Sequence, residues 1–360
     1  MNVLSLFSGC GGLDLGFKQA GFKVVAANDI WKVALKTFKL NFPEAITIPK
    51  DITKGKVQEE IISATSHEID VVVGGPPCQA YSLAGTRDPE DPRGKLFQAY
   101  VRIVDETRPS VFVMENVSGI LSMRHFRDGI PEKERQKVKE MVKKRKSKRK
   151  KVSIEKLNAK MAEYLISVPE LIQSTFKKLG YRVKWKPLNA ADYGVPQSRK
   201  RVFFVGTRLK KPIIFPAPTH SRNPNTLLKP WVTLKDAIGD LPFPGISEGD
   251  EVHEGSFSPI YMSRNRRKDW NDVSYTIQAG ARHIPLHPGS PPMTKIEKDK
   301  WVFGEGPIRR LSVKECARIQ TFPDDFVFLG NTQQKYKQIG NAVPPLLAKR
   351  IANCIKQMLK

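Results

Sequence analysis

The feature that most constrains the fold is a repeated pattern of short apolar runs, each ended by turn residues. Six such runs follow one another, namely VLSLF, KVVAAND, IDVVVGG, VFVMENV, VKWKPLN and RVFFVGT. Runs of this length are typical of buried strands, and each leaves room for a helix before the next. The pattern predicts an α/β fold with a doubly wound, Rossmann-like, mostly parallel sheet.

Four segments have the residue spacing of helices. They are Gly12 to Gln19, Val33 to Lys39, Leu96 to Thr107 and the tail from Pro345 to Leu359. The tail carries apolar residues at helical spacing, so we expect it to pack on the sheet.

The composition changes after about residue 207. FPAPTHSRNPNTLLKP and LPFPGISEGD are rich in Pro, Gly and Ser, with short strand-like pieces between them. We therefore expect a second, smaller, β-rich domain at residues 208–325. Residues 1–207 and 326–360 are expected to form the first domain, because the chain returns to helical spacing at its end.

The chain has an excess of positive charge. Its 61 Lys and Arg against 36 Asp and Glu give +25 over 360 residues, which favours a polyanionic partner. The run at residues 133–151 holds twelve Lys and Arg against two Glu, or +10, so +15 remains elsewhere. A nucleic acid is the expected partner, and a Lys-rich solubilising surface is the alternative. The run itself predicts a solvated helix or a disordered insert.

The four cysteines are Cys10, Cys78, Cys316 and Cys354, and they form no CxxC pair. This spacing favours reduced thiols over a zinc site or a disulfide framework. No apolar run approaches the ~20 residues of a membrane span, and the start of the chain lacks the pattern of a signal peptide. We expect no metal, no membrane partner and a cytosolic protein.

A glycine-rich turn follows the first strand, in LSLFSGCGGLDLGF. Such a turn lets backbone approach a nucleotide-like ligand at a helix N-terminus. A dinucleotide fingerprint starting at Gly9 requires a third small residue where Asp14 stands, so NAD is disfavoured. Asp29 ends the next strand and suits a ribose hydroxyl pair, and Asp51 follows the third. Each aspartate alone also suits a helix cap, but ends of parallel strands face one crevice.

Two reactive side chains follow the next strands. Cys78 comes after VVVGGPP, whose glycines and prolines disfavour burial in a regular element, and residues 79–94 are polar, as in a mobile active-site loop. A lone cysteine is otherwise usually a small buried hydrophobe. Glu115 follows the apolar run VFVM, so it is a costly buried charge or a working acid. Its place beside the Cys78 strand favours the acid.

Together these motifs resemble those of the DNA (cytosine-5) methyltransferases of bacterial restriction-modification systems. FSGCGGLDLGF resembles the cofactor loop, GGPPCQAYS the catalytic loop, ENV the glutamate motif and QSRKR, at residues 197–201, the QxRxR motif. The segments at residues 309–326 and 336–345 resemble the last two motifs. The resemblance spans almost the whole chain, and six ordered blocks are far more specific than any single one.

The resemblance implies a mechanism. Cys78 attacks carbon 6 of a cytosine flipped out of duplex DNA, and carbon 5 then receives a methyl group from S-adenosylmethionine, leaving S-adenosylhomocysteine. Glu115 acts at ring nitrogen 3, which requires a raised pKa and a desolvated site. Asn116 supports the loop, Arg201 contacts cytosine O2 and Arg199 supports the site. Without this context, the two arginines are equally compatible with surface strand charges.

The resemblance also implies a cofactor pocket. Its residues are Phe7, Gly9, Gly11, Gly12, Leu13, Asn341 and Val343 toward the amino acid end, Asp29 at the ribose, Ile30, Asp51 and Ile52 at the adenine, and Pro77 and Leu96 along the wall. Asp29 and Ile30 depart from the Glu and large aromatic that family members commonly carry. Since Ile cannot stack as an aromatic ring does, the departure affects cofactor affinity.

Residues 208–325 are expected to be the target-recognition domain. The piece Tyr275-Thr276-Ile277 resembles the Thr-plus-aliphatic pair of family recognition regions. Candidates for phosphate or guanine contacts are Arg264, Arg266, Arg267, Lys268, Arg282 and His283. The segment at about 122–168 exceeds the family's minimal spacing, and its +10 core predicts added phosphate contacts.

Two alternatives stay open at this point. A tRNA cytosine-5 methyltransferase has the same catalytic residues, and only the Pro- and Gly-rich recognition region favours double-stranded DNA. A non-catalytic DNA-binding regulator has no need to retain Cys78, Glu115, Arg199 and Arg201 together. We expect a stand-alone modification enzyme in the bacterial cytosol, associated with the nucleoid through DNA, with a cognate restriction endonuclease as its functional partner.

Overall fold

The computed structural model describes residues 1–65, 68–77, 92–127, 129–146, 162–224 and 227–360. Cys78 and the segment up to residue 91 lie outside these ranges, so the expectations placed on them stay predictions.

Short strands and helices alternate through the first half of the chain. The strands are β1 (Asn2–Leu6), β2 (Lys23–Asn28), β3 (Ile46–Ile48), β4 (Val71–Gly74), β5 (Val111–Val117), β6 (Arg124–Phe126), β7 (Leu165–Ser167), β8 (Arg182–Asn189), β9 (Lys200–Thr207), β10 (His220–Ser221), β11 (Lys229–Pro230), β12 (Met293–Glu297) and β13 (Lys300–Phe303). The helices are α1 (Gly12–Gln19), α2 (Lys32–Asn41), α3 (Gly55–Ser63), α4 (Pro92–Thr107), α5 (Glu132–Lys146), α6 (Val168–Lys178), α7 (Leu234–Ile238), α8 (Val313–Ile319), α9 (Thr332–Asn341) and α10 (Pro345–Leu359).

Seven of these strands form one sheet in the order β3-β2-β1-β4-β5-β9-β8. The first five run parallel, and β9 is antiparallel to both β5 and β8. The chain proceeds outward from β1 to β3 and then returns to place β4 on the other side of β1. The carboxyl ends of β1 and β4 therefore flank the point where strand order reverses, which is where α/β sheets bind ligands.

The central strands are apolar along their whole length because both faces of the sheet are covered. Val71 and Val73 of β4 join a core that includes α1, α2 and α10, whereas Val72 joins a second core with α3, α4 and α6. Strands buried on both faces are expected to be continuously apolar. The doubly wound, mostly parallel α/β fold predicted from the sequence is thereby confirmed.

Most predicted elements appear with small shifts at their ends. Helices α1 and α10 have the predicted bounds, α2 is longer by one to two residues at each end, and α4 begins at Pro92 rather than Leu96. No α-helix lies in the described residues between β8 and β9, although the spacing of the two apolar runs leaves room for one. These strands pair antiparallel, and the residues between them form only a short 3₁₀ turn at Ala190–Tyr193. Antiparallel neighbours need no crossover helix.

The described residues between β9 and α8 contain little regular structure, namely the short helix α7, a few 3₁₀ turns and two small strand pairs, β10 with β11 and β12 with β13. A small apolar cluster centred on Tyr261, Leu286 and Met293 belongs to this region alone. Other residues of the region, Leu234 and Ile277 among them, join the larger core beside α1 and α10. The division of the chain into two domains at residues 208–325 stays a prediction.

Helix α5 contains much of the basic run, and the part of the run beyond Lys146 lies outside the described residues. One face of α5 is anchored, because Val138 is buried against Phe126 of β6 and Leu165 of β7. The run is therefore helical up to Lys146, which agrees with the expected helix rather than with the expected disordered insert. Across the described ranges no helix is long and apolar enough to cross a membrane.

Candidate active site

A cavity of about 650 Å³ opens at the carboxyl edge of the parallel strands. Its walls come from the segments after β1, β2, β3 and β4, from Glu115 to Val117 of β5, from Arg199 and Arg201, and from residues 337–343 at the end of α9. This volume is in the usual range for small-molecule sites. Segments from both ends of the sequence thus meet around one space.

The glycine turn after β1 forms one wall. Gly9 has φ 56° and Gly11 has φ 96°, which is a left-handed conformation that favours glycine. The turn is tied to β2, because the Ser8 N–H donates to the Asn28 carbonyl over 3.1 Å. Gly11 is the N-cap of α1, so the turn delivers the positive end of that helix to the cavity.

Asp29 lies at the end of β2 with its carboxylate held by backbone. Oδ2 accepts the Gly9 N–H over 2.9 Å, and Oδ1 accepts the Trp31 N–H over 2.8 Å. Burial raises the pKa of Asp29, and these two N–H groups lower it. Asp51, after β3, accepts from the N–H and the hydroxyl of Thr53 at 2.9 and 2.8 Å. Both carboxylates therefore stabilise their loops while facing the cavity.

Glu115 and Arg201 form an ion pair on the wall next to β4. Arg201 Nε lies 2.9 Å from Glu115 Oε1, and the two side chains are 16% and 15% exposed. Burial raises the pKa of Glu115, and the charges of Arg201 and Arg199 lower it. The raised pKa and the desolvated position agree with what the sequence predicted for a working acid.

Arg199 is buried and serves as a junction. Its guanidinium donates to the carbonyls of Ile277, Gly340 and Ala342 at 3.0, 2.8 and 3.0 Å. Burial, with Arg201 adding to it, lowers the pKa of Arg199 to about 9. The residue thus joins the QxRxR segment, the segment resembling a recognition motif and the last motif. Its alternative interpretation as a surface strand charge is wrong.

A parallel junction is made by Gln197. Its Oε1 accepts the Ile277 N–H over 3.1 Å, and its Nε2 donates to Gln320 Oε1 over 2.7 Å. Gln320 in turn donates to the Ile339 carbonyl over 2.6 Å. The segment around Ile277 is therefore fixed to the cavity wall from both ends.

Asn116 holds the start of the loop that leads to Cys78. Its Nδ2 donates to the Pro76 carbonyl over 2.8 Å. Pro77, the last described residue before Cys78, lines the cavity. The chain therefore enters the undescribed segment from the cavity wall beside Glu115.

The structure brings the sequence-predicted site residues together with few exceptions. The cavity is lined by Phe7, Gly9, Gly12, Leu13, Asp29, Ile30, Asp51, Ile52, Pro77, Leu96, Glu115, Asn116, Arg199, Arg201, Asn341 and Val343. Gly11 is not among them, since the position of a Cβ on it points to the rings of Phe42 and Phe38 at 2.6 and 3.0 Å. Cys78 lies outside the described residues.

Sequence reasoning missed several residues of the cavity. Trp31 and Lys337 line it and contact each other, with the Lys337 Nζ 4.6 Å from the centre of the Trp31 ring. Asp14 also lines it; this carboxyl group is fully buried, and burial raises its pKa to about 7. Trp31 was detectable as the aromatic neighbour of an unusual Ile30. In the sequence, Asp14 indicates only a departure from the dinucleotide fingerprint.

The residues proposed for DNA contact differ in how far their side chains are exposed. Arg266 is 5% exposed, donates to the carbonyls of Tyr261 and Ile260, and lies 4.7 Å from the centre of the Tyr261 ring. Its guanidinium is therefore occupied within the protein, which corrects its assignment as a free contact residue. Arg264 and Arg282 are exposed.

The other three candidates are Arg267, Lys268 and His283, all partly exposed. Arg267 pairs with Asp269, and Lys268 lies 3.6 Å from Asp272.

Among the described residues no cluster of His, Cys, Asp and Glu has the arrangement of a metal site. The three cysteines in the described ranges, Cys10, Cys316 and Cys354, are buried free thiols.

The sheet order, with a cavity at the point where that order reverses, defines a doubly wound α/β fold with a small-molecule site at its carboxyl edge. Solved structures share this fold. One is a putative DNA modification methyltransferase encoded within an E. coli prophage, with a TM-score of 0.65 and 24% identity over 100% of this chain and 99% of that one. Another is the S. pombe Dnmt2 methyltransferase, with a TM-score of 0.65, 15% identity, and coverage of 100% and 98%.

The chain belongs to the C-5 cytosine-specific DNA methylase family, whose model matches residues 1–163 and 138–357. It is 43% identical to the type II methyltransferase M.MthTI of Methanothermobacter thermautotrophicus, over 100% of this chain and 98% of that one. It is 40% identical to M.NgoPII of Neisseria gonorrhoeae, over 100% and 96%. The family identifies the protein as a DNA (cytosine-5) methyltransferase and implies use of S-adenosylmethionine.

Proposed function

We propose that this enzyme methylates a cytosine flipped out of double-stranded DNA, with Cys78 as the nucleophile and Glu115 as the acid. The observation that carries the proposal is the Glu115–Arg201 pair on the wall of a cavity from which the Cys78 loop departs. The thiolate of Cys78 adds to carbon 6 of the ring, and the electrons of the carbon 5–carbon 6 double bond become available at carbon 5. Carbon 5 would use them to bond to the methyl group that S-adenosylmethionine supplies. Removal of the carbon 5 proton then re-forms the double bond between carbons 5 and 6, and the bond between carbon 6 and the Cys78 sulfur breaks.

Glu115 and Arg201 perform complementary tasks in this scheme. A carboxyl group of raised pKa holds or shares a proton with ring nitrogen 3, which makes carbon 6 easier to attack. Arg201 offers planar N–H donors to the adjacent carbonyl O2. Because Arg201 already pairs with Glu115, one guanidinium orients the acid and is positioned to meet the base. Arg199 and Asn116 are positioning residues.

The residues of the cavity fit S-adenosylmethionine, which supplies an electrophilic methyl group when bound. The position of a Cβ on Gly9 has no atom within 4 Å, so backbone is open to a ligand there. The N-terminus of α1 suits a carboxylate, and Asp29 suits ribose hydroxyls. Ile30 and Trp31 follow Asp29 along the wall, so apolar surface for a base lies next to the proposed ribose site. We assign the cofactor to this cavity on these grounds.

Residues 208–325 are proposed as the target-recognition domain for duplex DNA. Support comes from the exposed cations Arg264 and Arg282 and from the fixed segment around Ile277, which reaches the catalytic wall through Gln197 and Arg199. The net charge of +25 favours the phosphate backbone. The basic run in α5 is proposed to add phosphate contacts.

The biological setting follows from the relatives. Those named above carry names of type II methyltransferases, so we propose that this enzyme protects DNA from a cognate restriction endonuclease. The proposal places it in the bacterial cytosol, associated with the nucleoid through DNA.

Trapping on a modified base tests the proposal. The enzyme is incubated with S-adenosylmethionine and a duplex library carrying 5-fluorocytosine, because fluorine at carbon 5 blocks release of the thiol. A denaturation-resistant protein–DNA adduct that Cys78→Ser abolishes is the expected result, and sequencing the trapped duplexes gives the target site. An adduct that persists in Cys78→Ser contradicts the assignment of the nucleophile. Preferential adduct formation with an equivalent tRNA substrate contradicts the assignment of the polymer.

A further inference from the structure

The residue that the sequence places beside adenine is mostly exposed at the cavity wall. Ile30 is 66% exposed and is a β-branched aliphatic side chain where an aromatic ring is expected. The next residue, Trp31, is only partly exposed and lines the same cavity. An aromatic surface is therefore present at this wall, one residue further along the chain.

A backbone hydrogen bond places Trp31 next to Asp29, the carboxylate that is proposed to bind the ribose. Its N–H donates to Asp29 Oδ1 over 2.8 Å, while the Gly9 N–H occupies Oδ2 over 2.9 Å. Trp31 is also the N-cap of α2, so its backbone is fixed by the helix that it begins. In a nucleoside the base is bonded directly to the sugar, and a ring adjacent to the sugar-binding carboxylate is within reach of the base.

The indole ring of Trp31 contacts a lysine from a distant part of the sequence. Lys337 of α9 places its Nζ 4.6 Å from the centre of the Trp31 ring, and both residues line the cavity. A cation over an indole face at this distance is attractive. The contact joins the loop after β2 to the helix that ends in Asn341. A side chain fixed at both backbone and ring loses little entropy when a ligand packs on it.

We infer that Trp31, braced by Lys337, is this chain's aromatic contact for the adenine of S-adenosylmethionine, in place of Ile30. The inference rests on the proposed function, since it requires that cofactor in this cavity. Trp31 and Lys337 are positioning residues for the cofactor and take no part in the bond changes. The assignment also explains how an aliphatic residue is tolerated at position 30.

Calorimetric titration of the full-length chain with S-adenosylhomocysteine tests the inference without turnover. Trp31→Ala is expected to raise the Kd about tenfold, whereas Trp31→Phe keeps an aromatic face and stays within about threefold. Lys337→Met is expected to raise the Kd about threefold through loss of the cation–π interaction. Ile30→Ala is the matched control at the neighbouring position and is expected to change the Kd less than Trp31→Ala does.

Tryptophan emission gives a second readout that a merely structural role does not move. Ligand binding is expected to change the emission of the wild-type chain and of Trp185→Phe, because Trp185 does not line the cavity. The change is expected to disappear in Trp31→Phe although that variant still binds by calorimetry. Wild-type affinity in Trp31→Ala, or an emission change that persists in Trp31→Phe, overturns the inference. Absence of binding by the wild-type chain overturns the proposed function and this inference with it.

Discussion

Arg201 Nε lies 2.9 Å from Glu115 Oε1, joining two antiparallel strands at the wall of the cavity. Two opposing effects act on the pKa of Glu115 in this pair. Burial raises the pKa of Glu115, and the two arginines oppose that rise. A carboxyl group in this setting changes protonation when a neutral ring displaces water or when the arginine turns toward a new acceptor.

Removing the proton function of Glu115 is expected to reduce turnover without affecting the cofactor. We expect Glu115→Gln to lower kcat by about 10²-fold or more, because the amide is similar in shape and cannot transfer a proton. Steady-state methylation of duplex DNA measures kcat, and calorimetry checks that the Kd for S-adenosylhomocysteine is unchanged. Glu60→Gln is the matched control, since Glu60 pairs with Lys50 on the surface. Equal kcat for Glu115→Gln and wild type contradicts the role.

Replacing Arg199 is expected to affect mainly stability, and replacing Arg201 is expected to affect mainly turnover. Arg199→Lys removes hydrogen bonds to buried carbonyls and is expected to lower the free energy of unfolding by about 2–3 kcal/mol. Arg201→Lys keeps a positive charge beside Glu115, so it is expected to lower the free energy of unfolding less than Arg199→Lys does and to lower kcat strongly, because Lys lacks the planar donors. Urea unfolding and methylation assays on both variants measure the two effects. The reverse order of stabilities contradicts the division.

The strands and most helices were predictable because they depend on local patterns. β1, β4 and β5 are apolar throughout most of their length, and a sheet covered on both faces requires that pattern. The antiparallel pair β8 and β9 was not predictable in the same way, since strand direction depends on pairing partners and leaves no mark in apolar runs. The irregular region between β9 and α8 shares the large core through Ile277, a long-range packing arrangement that composition does not reveal.

The site was predictable where strand ends converge and less so where one residue bonds to several distant segments. Asp29 and Glu115 lie at or next to strand ends, so their position on the cavity follows from sheet topology. Arg199 donates to Gly340 across 141 positions of sequence, and its burial has no local signature. Arg266 illustrates the same limit, because it differs from the exposed Arg264 through its hydrogen bonds to the Tyr261 and Ile260 carbonyls and through the Tyr261 ring beside its guanidinium.

Asp14 is expected to give the stability of the protein a specific pH dependence. Its pKa is raised by burial from 3.8 to about 7 in the folded chain. The unfolded chain loses this proton near pH 4 while the folded chain retains it, so stability falls as pH rises through this window, by up to about 4 kcal/mol. Above about pH 7 both states are ionised and the decrease is complete.

Comparison with Asp14→Asn isolates this contribution. Asparagine does not titrate, so the Tm of the variant minus that of wild type is expected to increase from pH 4 to pH 7 and then to level off. Other titrating groups largely cancel in the difference. Thermal unfolding at half-unit pH steps provides the measurement, and a difference that is constant with pH contradicts the buried acid.

The basic run is expected to contribute to the salt dependence of DNA binding. Replacing Lys143, Lys144, Arg145 and Lys146 by Gln keeps helix-forming residues while removing charge. For every phosphate that these cations neutralise in the wild-type complex, the substitution is expected to reduce the slope of log K against log salt concentration by about 0.9. Titration of a labelled duplex at several salt concentrations measures the slope. An unchanged slope excludes these four residues from binding to the DNA backbone.

Gly340 is expected to be sensitive to a single added carbon. A Cβ there lies 2.3 Å from the carbonyl carbon and oxygen of Gln278, so Gly340→Ala forces apart the α9 end and the segment around Ile277. We expect a decrease of about 1–3 kcal/mol in unfolding free energy. Because Gly340 and its neighbours Asn341 and Ala342 line the cavity, weaker binding of both S-adenosylhomocysteine and duplex DNA is also expected.

Gly119→Ala is the matched control for this substitution, since no atom lies within 4 Å of its added Cβ. Its unfolding free energy is expected to stay within about 0.5 kcal/mol of wild type, with both affinities unchanged. If Gly340→Ala weakens the binding of only one of the two ligands, the segment around Ile277 and the end of α9 at the cavity move independently. They would do so although Arg199 bonds to both. A decrease of both affinities in Gly340→Ala alone means that the two surfaces form one packing unit, through which occupancy of one site affects the other.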